Sequence, residues 1–275
     1  MTAEEKKMIE DAACDIRVLT IDAIGNLGVG HIGGAMSIVD VLAVLYMKHL
    51  KHDPKNPRWE KRDRLVLSKG HAGPALYSTL AYRGFFEKEM LHTLNRGGTN
   101  LPSHCDRNRT PGIDMTTGSL GQGLSAAAGI ALALRLNKND AHVFAVIGDG
   151  ESNEGQNWEA GMFAAQQKLD RLIAFTDYNK MQIDGMTHEI NDLGDIEGKW
   201  TSFGWNVLRI NGHDVEAIDG AIVKAKESKG KPTMIILDTI KGKGASFCEG
   251  NVGSHNMNFD AAKAEEAINK LKEAR

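Results

Sequence analysis

Apolar positions along this chain alternate between two patterns. Residues 8–24 place Met8, Ile9, Ala12, Ala13, Ile16, Leu19 and Ala23 at helical spacing, which turns one face of a helix towards a core. Residues 37–50 predict a second helix, with Ser37 as its cap and Asp40 where a capping box places its acid. Residues 63–68 predict a short strand ending at Lys69-Gly70-His71, and a helix over 74–83 follows with Pro74 in its first turn. Residues 120–136 are alanine-rich and read as a helix. Val143-Phe144-Ala145-Val146-Ile147 and Leu172-Ile173-Ala174-Phe175 are continuous apolar runs that predict two buried strands, and residues 155–165 read as a helix between them. Further strands are predicted over 205–210 and 233–238, with Asp214 starting the helix between them. Residues 259–275 close as a charged amphipathic helix with Asp260 near its start. Strands alternating with helices predict an α/β fold, a parallel β-sheet flanked by helices. The pattern predicts one domain over residues 1–275, with an N-terminal helical arm to about residue 35 and no repeat, low-complexity tract or linker.

Composition narrows the class. The chain has 275 residues, 41% hydrophobic and 25% charged, enough for one large or two small globular domains. A net charge of −3 lacks the basic footprint of a nucleic-acid binder. Met1-Thr2-Ala3-Glu4-Glu5-Lys6-Lys7 has no apolar signal core behind it, and no apolar run approaches membrane length, so a cytoplasmic chain is expected. Cys14, Cys105 and Cys248 are odd in number and widely spaced, which predicts reduced thiols and neither a disulfide frame nor a zinc site. Many of the thirty glycines cluster after the strand-like runs, where backbone approach to a ligand would need them.

The two central strands carry the candidate chemistry. Gly148-Asp149-Gly150 follows the first, and Asp177-Tyr178-Asn179 ends the second. Strand ends on one edge of a parallel sheet are close in space. The Asp149 carboxylate and the Asn179 amide oxygen are thereby placed to grip one hard cation such as Mg²⁺. Four histidines stand in loops bordered by glycine or serine: His31, His71, His104 and His255. Histidine's ordinary pKa suits it to moving protons near neutral pH. His142, His188 and His213 are expected to be structural, and His49, His52 and His92 to sit at solvated helix ends or in loops.

Gly-Asp-Gly followed after just under thirty residues by Asn resembles the diphosphate-binding motif of thiamine diphosphate enzymes. Gly118-Ser119-Leu120-Gly121-Gln122-Gly123, residues 64–72, Ile183-Asp184-Gly185 and the four histidines extend the likeness. From about residue 10 to residue 256 the chain resembles the N-terminal, diphosphate-binding half of transketolase. The resemblance implies thiamine diphosphate and Mg²⁺ as cofactors, with Ca²⁺ or Mn²⁺ as substitutes. It implies Asp149, Asn179 and the backbone oxygen of Met181 as metal ligands. It places Gly118, Ser119, Leu120 and Gly150 along the cofactor, and His31, His71, His104 and His255 in the channel of thiazolium and donor sugar. His71 and His255 would also approach the diphosphate.

The implied activity is transfer of a two-carbon ketol unit from a ketose phosphate to an aldose phosphate. A full-length transketolase is more than twice this long. Its second part supplies the glutamate and aromatic contacts for the cofactor pyrimidine and most sugar-phosphate contacts. The expectation is therefore a split enzyme, in which a C-terminal transketolase subunit carries the pyrimidine-binding domain and two copies of each chain form a heterotetramer. Three alternatives stay open: a subunit of another thiamine enzyme (deoxyxylulose phosphate synthase-like or 2-oxoacid dehydrogenase-like), a non-catalytic cofactor-binding module, and a nucleotide dehydrogenase. The last rests on Gly28-Val29-Gly30-His31-Ile32-Gly33, a dinucleotide-type spacing, but the segment before it reads as helix where that motif needs a strand. Lys241-Gly242-Lys243-Gly244 lacks P-loop spacing and reads as a loop leading towards His255.

Overall fold

A computed structural model describes residues 1–183 and 185–275. Five strands form a parallel sheet: β1 (Arg64–Leu67), β2 (Val143–Gly148), β3 (Leu172–Tyr178), β4 (Asn206–Asn211) and β5 (Thr233–Asp238). Their order in space is β1-β2-β3-β5-β4, every pair parallel. Strands covered on both faces read as unbroken apolar runs, and β2 is buried at all six positions.

Side chains on successive positions of these strands enter opposite cores. Phe144, Val146, Ile173, Phe175, Ile235 and Leu237 join one apolar cluster, and Val143, Ala145, Ile147, Leu172, Ala174, Met234 and Ile236 join the other. The first cluster packs under α1 (Ala3–Leu27), α2 (Gly73–Tyr82) and the segments 32–50. The second packs under α3 (Gln122–Leu136), α4 (Gly155–Gln166) and the short helix Ile196–Ser202. Chain direction across the sheet reverses after β4, so a right-handed crossover must use the other face. The connecting helix α5 (Val215–Glu227) accordingly buries Val215, Ile218, Ala221, Ile222 and Ala225 in the first cluster.

Helix ends follow local chemistry. Thr2 and Glu5 form a capping box at the start of α1, and Gly28 closes it in the left-handed region at φ 91°. Asp214 caps α5 and Asp260 caps α6 (Ala261–Glu273) through their carboxylates. A Cβ on Gly25 would lie 2.5 Å from that of Ala264, so glycine lets α6 lie close on α1.

Two expectations need correction. Residues 37–50 do not form one helix capped by Ser37. Short helices cover Ile32–Met36 and Val39–Val44, followed by a wide turn over Leu45–His49. Ser37 donates instead to Asp177, and Asp40 pairs with Arg17. His49 is not solvated: it is buried, and its Nε2 lies 2.7 Å from Asp219 Oδ1. Tertiary pairing outweighs the local cap in the first case, and the turn tucks the ring inward in the second. His92 does sit exposed, paired with Asp22, and His52 is half-buried against Phe85. The three cysteines form no disulfide. Among the described residues no helix is long and apolar enough to cross a membrane.

Candidate functional site

The loops leaving the carboxyl ends of β1, β2, β3 and β5 border an open cleft. Open parallel sheets bind ligands there, because loops diverge and backbone groups are left unpaired at that edge. The β2–β3 ladder runs to the Gly148–Asp177 rung, and the Asp149 amide then donates to the Asp177 carbonyl at 3.2 Å. This last contact sets Asp149 beside the loop that carries Asn179.

The Asp149 carboxylate accepts the Gly150 amide at 2.8 Å and the Lys180 amide at 2.5 Å. Asn179 donates through Nδ2 to Asp177 and accepts the Met181 amide through Oδ1, both at 3.1 Å. Asp149, Asn179 and Met181 all line the cleft. One carboxylate, one amide oxygen and one backbone carbonyl are hard oxygen donors of the kind Mg²⁺ takes while keeping several waters. Among the described residues no group of three or more His, Cys, Asp or Glu is arranged to hold a metal ion, His31, His71, His104 and His255 included. Burial, and then the neighbouring Asp177, push the Asp149 carboxyl up to about 7. A divalent cation would relieve that cost.

The opposite imbalance lies beside it. Lys69 pairs with Asp177, which also accepts Ser37 at 2.7 Å and Thr239 at 2.5 Å. Burial works against the Asp177 charge, but Lys69, Thr239 and Ser37 hold the carboxyl below its ordinary value. Lys241 is 2% exposed, and among the described residues its Nζ has no hydrogen-bond partner. Burial, and then repulsion from Lys69, lower it to about 8. A buried ammonium without an anion is costly. The cleft thus holds an acid short of a cation and an ammonium short of an anion, and a metal-bridged diphosphate fits both. Among the described residues the amide Nε2 of Gln182 on the same wall also lacks a partner.

Glycines give the space. A Cβ on Gly150 would stand 2.5 Å from Gln182 Cβ, and one on Gly34 would stand 3.2 Å from His71 Nε2. Glu151 braces the walls: it accepts Ser68 Oγ, the Gly121 amide at 2.9 Å and the Gly148 amide at 2.9 Å. That ties the loop of Gly118, Ser119 and Leu120 to the end of β2. Leu120 lines the cleft and Ser119 does not. Gly118, at φ 146°, lies against the ring of His104.

Four loops far apart in sequence bring their histidines together. The His31 ring centroid lies 5.4 Å from His71, 5.9 Å from His104 and 5.5 Å from His255, and His71 lies 5.0 Å from His255. His71 and His255 line the cleft with Asp149, whereas His31 and His104 do not. Burial, then Lys69 and the other three histidines, hold His71 down to about 2. Burial and His104 also lower His31. Asp184, quoted with Ile183 and Gly185 in the sequence, lies outside the described residues.

A family profile described as "Transketolase, thiamine diphosphate binding domain" matches residues 8–274. The chain belongs to the transketolase family. It is similar to 6-deoxy-6-sulfo-D-fructose transketolase subunit SqwG of Clostridium sp. (strain MSTE9), 58% identical over 98% of each chain. It is also similar to an apulose-4-phosphate transketolase subunit of Phocaeicola vulgatus, 40% identical over 92% of this chain and 90% of that one. Among solved structures, Campylobacter jejuni transketolase superposes with a TM-score of 0.90 at 36% identity, over 98% of this chain and 42% of its own. Pichia stipitis transketolase in complex with sedoheptulose 7-phosphate gives a TM-score of 0.91 at 32% identity, over 96% of this chain and 41% of its own. The chain therefore spans about two fifths of these solved transketolases.

Transketolase motifs alone do not reveal three of the cleft's residues. Lys69 falls inside a matching segment without a role, Glu151 beside Gly150 is passed over, and Lys241 reads as a mere loop residue. Position after a strand is the signal that could have found both lysines: Lys69 follows β1 and Lys241 follows β5 within three residues of their ends.

Proposed function

We propose that this chain is the cofactor-binding subunit of a two-chain transketolase that moves a two-carbon ketol unit from a ketose to an aldose phosphate. One observation carries the reading: the Asp149–Asn179 oxygen pair and the four-histidine cluster meet at one sheet edge, beside a buried Lys241 ammonium that among the described residues has no hydrogen-bond partner. Asp149, Asn179 and the Met181 carbonyl would hold Mg²⁺. Leu120, Gly150, Asn179, His71, His255 and Lys241 would hold thiamine diphosphate, with Gly118 and Ser119 in the loop that carries Leu120 to it. When bound, the cofactor supplies the nucleophilic carbon and the electron sink for cleavage of the donor's C2–C3 bond. The chain's own part is to bind, orient and manage protons. His71 and His255 serve cofactor and donor together, and His31 and His104 hold and move protons at the donor hydroxyls.

Two similar proteins carry the word subunit in their names and match this chain over 98% and 90% of their length, which supports a separate partner chain bearing the pyrimidine-binding domain. Two copies of each chain would make the assembly. The relative at 58% identity supports 6-deoxy-6-sulfo-D-fructose as the donor. These observations favour transketolase over other thiamine enzymes and over a non-catalytic module. The test is co-expression with the C-terminal partner and measurement of kcat/KM for 6-deoxy-6-sulfo-D-fructose, apulose 4-phosphate and fructose 6-phosphate with an aldose phosphate acceptor. The sulfonated ketose should give the highest value, dependent on added cofactor and on the partner. Turnover by the single chain would overturn the two-chain reading, and preference for a phosphorylated ketose would overturn the donor assignment.

A further inference from the structure

Behind the cleft wall lies a second buried charge network that the activity does not use directly. Asp40 and Arg17 are 5% and 8% exposed. Arg17 grips Asp40 with both ends of its fork, Nη1 to Oδ1 at 3.0 Å and Nη2 to Oδ2 at 2.6 Å. His213 Nδ1 lies 2.7 Å from the same carboxylate. The other His213 nitrogen, Nε2, accepts the Ile240 amide at 2.8 Å. A backbone N–H only donates, so Nε2 carries no proton and the Nδ1 proton goes to Asp40. Arg17 meanwhile donates through Nε to the Lys243 carbonyl at 3.2 Å.

The two arms thus hold the residue before Lys241 and the residue two after it. The loop between them needs holding, because Gly242 and Gly244 take left-handed backbone at φ 79° and 85°. The Gly242 amide bonds the Gly33 carbonyl at 2.9 Å, and the Gly250 amide bonds the Lys241 carbonyl at 2.8 Å. Neither these bonds nor the clamp touches the Lys241 ammonium, which among the described residues stays without a partner inside the cleft. An ion kept buried and unpaired must be fixed by its backbone, since no contact at its head fixes it.

We propose that Asp40, with His213 and Arg17 as its arms, is a positioning clamp that aims Lys241 at the anionic end of the cofactor. The inference rests on the reading of the cleft as a diphosphate site. None of the three residues touches the cleft, so each acts through the loop.

Calorimetric titration of thiamine diphosphate with Mg²⁺ into the full chain, with its partner chain present, tests the clamp through a double-mutant cycle. Lys241→Ala should weaken cofactor affinity about ten- to a hundredfold, as loss of a charged hydrogen-bond donor does. His213→Ala should weaken it about tenfold, the usual size for a partner that orients a ligand-holding group. His213→Gln, whose side-chain oxygen can still accept the Ile240 amide, should recover most of that loss. The variant His213→Ala/Lys241→Ala should bind no more weakly than Lys241→Ala alone. Losses that multiply in the double variant, or a His213→Ala protein that melts earlier yet binds normally, would overturn the clamp. Unchanged affinity in Lys241→Ala would instead overturn the placement of the diphosphate. Arg17→Lys, which keeps the charge but loses the fork, repeats the test where His213→Ala fails to fold, and full affinity in that variant also overturns the clamp.

Discussion

Asp149→Asn should stabilise the cofactor-free chain at pH 8 while abolishing its response to the cofactor. Asp149 is 2% exposed, and its carboxyl is raised by burial and Asp177 to about 7, against 3.8 as its ordinary value. Between those pH values the folded chain holds a proton that the unfolded chain has released. Stability is therefore fully present at low pH and lost as pH rises through the folded value. At 1.36 kcal/mol for each pH unit the full loss is about 4 kcal/mol, most of it between pH 5 and 8. Asparagine approximates the protonated acid and escapes that loss. It must present its NH₂ to one of two backbone donors, Gly150 or Lys180, which offsets about 1–3 kcal/mol. The net gain at pH 8 is about 1–3 kcal/mol, and each kcal/mol raises the melting midpoint about 2–4 °C in a chain of this size. The assay is thermal and urea unfolding of both chains at pH 5 and pH 8 in chelator, then with thiamine diphosphate and Mg²⁺. Other titrating groups cancel in the difference between chains. The ranking should reverse on loading, because ligand that binds only the folded wild type stabilises it by mass action. A difference that stays constant with pH, or a variant that Mg²⁺ and cofactor stabilise as much as the wild type, refutes the reasoning.

Gly118→Ala should lower turnover with a smaller effect on stability, because φ 146° is strained for alanine and the new Cβ would stand 3.2 Å from the His104 ring; steady-state kinetics beside urea unfolding will separate the two. Trp200→Ala should cost about 3–5 kcal/mol in urea unfolding, since the ring is fully buried with centroids 4.8 Å from Trp158 and 5.1 Å from Trp205. His71, neutral in the fold down to about 2, should charge in the unfolded chain below about 6.5, so its contribution is present above that value and is lost progressively as pH falls from there towards about 2. Between pH 7 and pH 5 the urea midpoint of the wild type should therefore fall further than that of His71→Gln.

Continuous apolar runs make the central sheet legible, because Val143–Gly148 and Leu172–Tyr178 are covered on both faces and carry no competing signal. The oxygen pair at their ends is legible for the same reason, since parallel register places Asp149 next to the Asn179 loop. Segment 37–50 misleads because Ser37 and Asp40 look like a local cap, yet each finds a stronger partner in a distant element. Asp177 lies 140 residues from Ser37, and Arg17 lies 23 from Asp40. His49 misleads because a terminal turn with Lys48 beside it looks solvated, while Asp219, 170 residues on, draws the ring inward. Lys241 escapes notice for a different reason. What marks it is a missing partner, and absence of a contact is written only in three dimensions.

The histidine cluster bears on how the site controls protons. Four imidazoles, each with a neighbouring ring centroid 5.0–5.9 Å away, cannot readily share several positive charges, and Lys69 adds to the repulsion at His71. Burial compounds this at His71 and His31, both held below the ordinary histidine value. Alone, His71 and His31 are neutral bases too weak to strip a sugar hydroxyl. A diphosphate beside His71 and His255 would change that balance, since nearby anionic charge favours the imidazolium form. Basicity would then appear only when cofactor fills the cleft, and the rings would act as one coupled group whose protonation belongs to the set. At His71 and His31 such an arrangement would keep the free chain from drawing protons into a buried site, and would make proton transfer conditional on the charge that the cofactor brings with it.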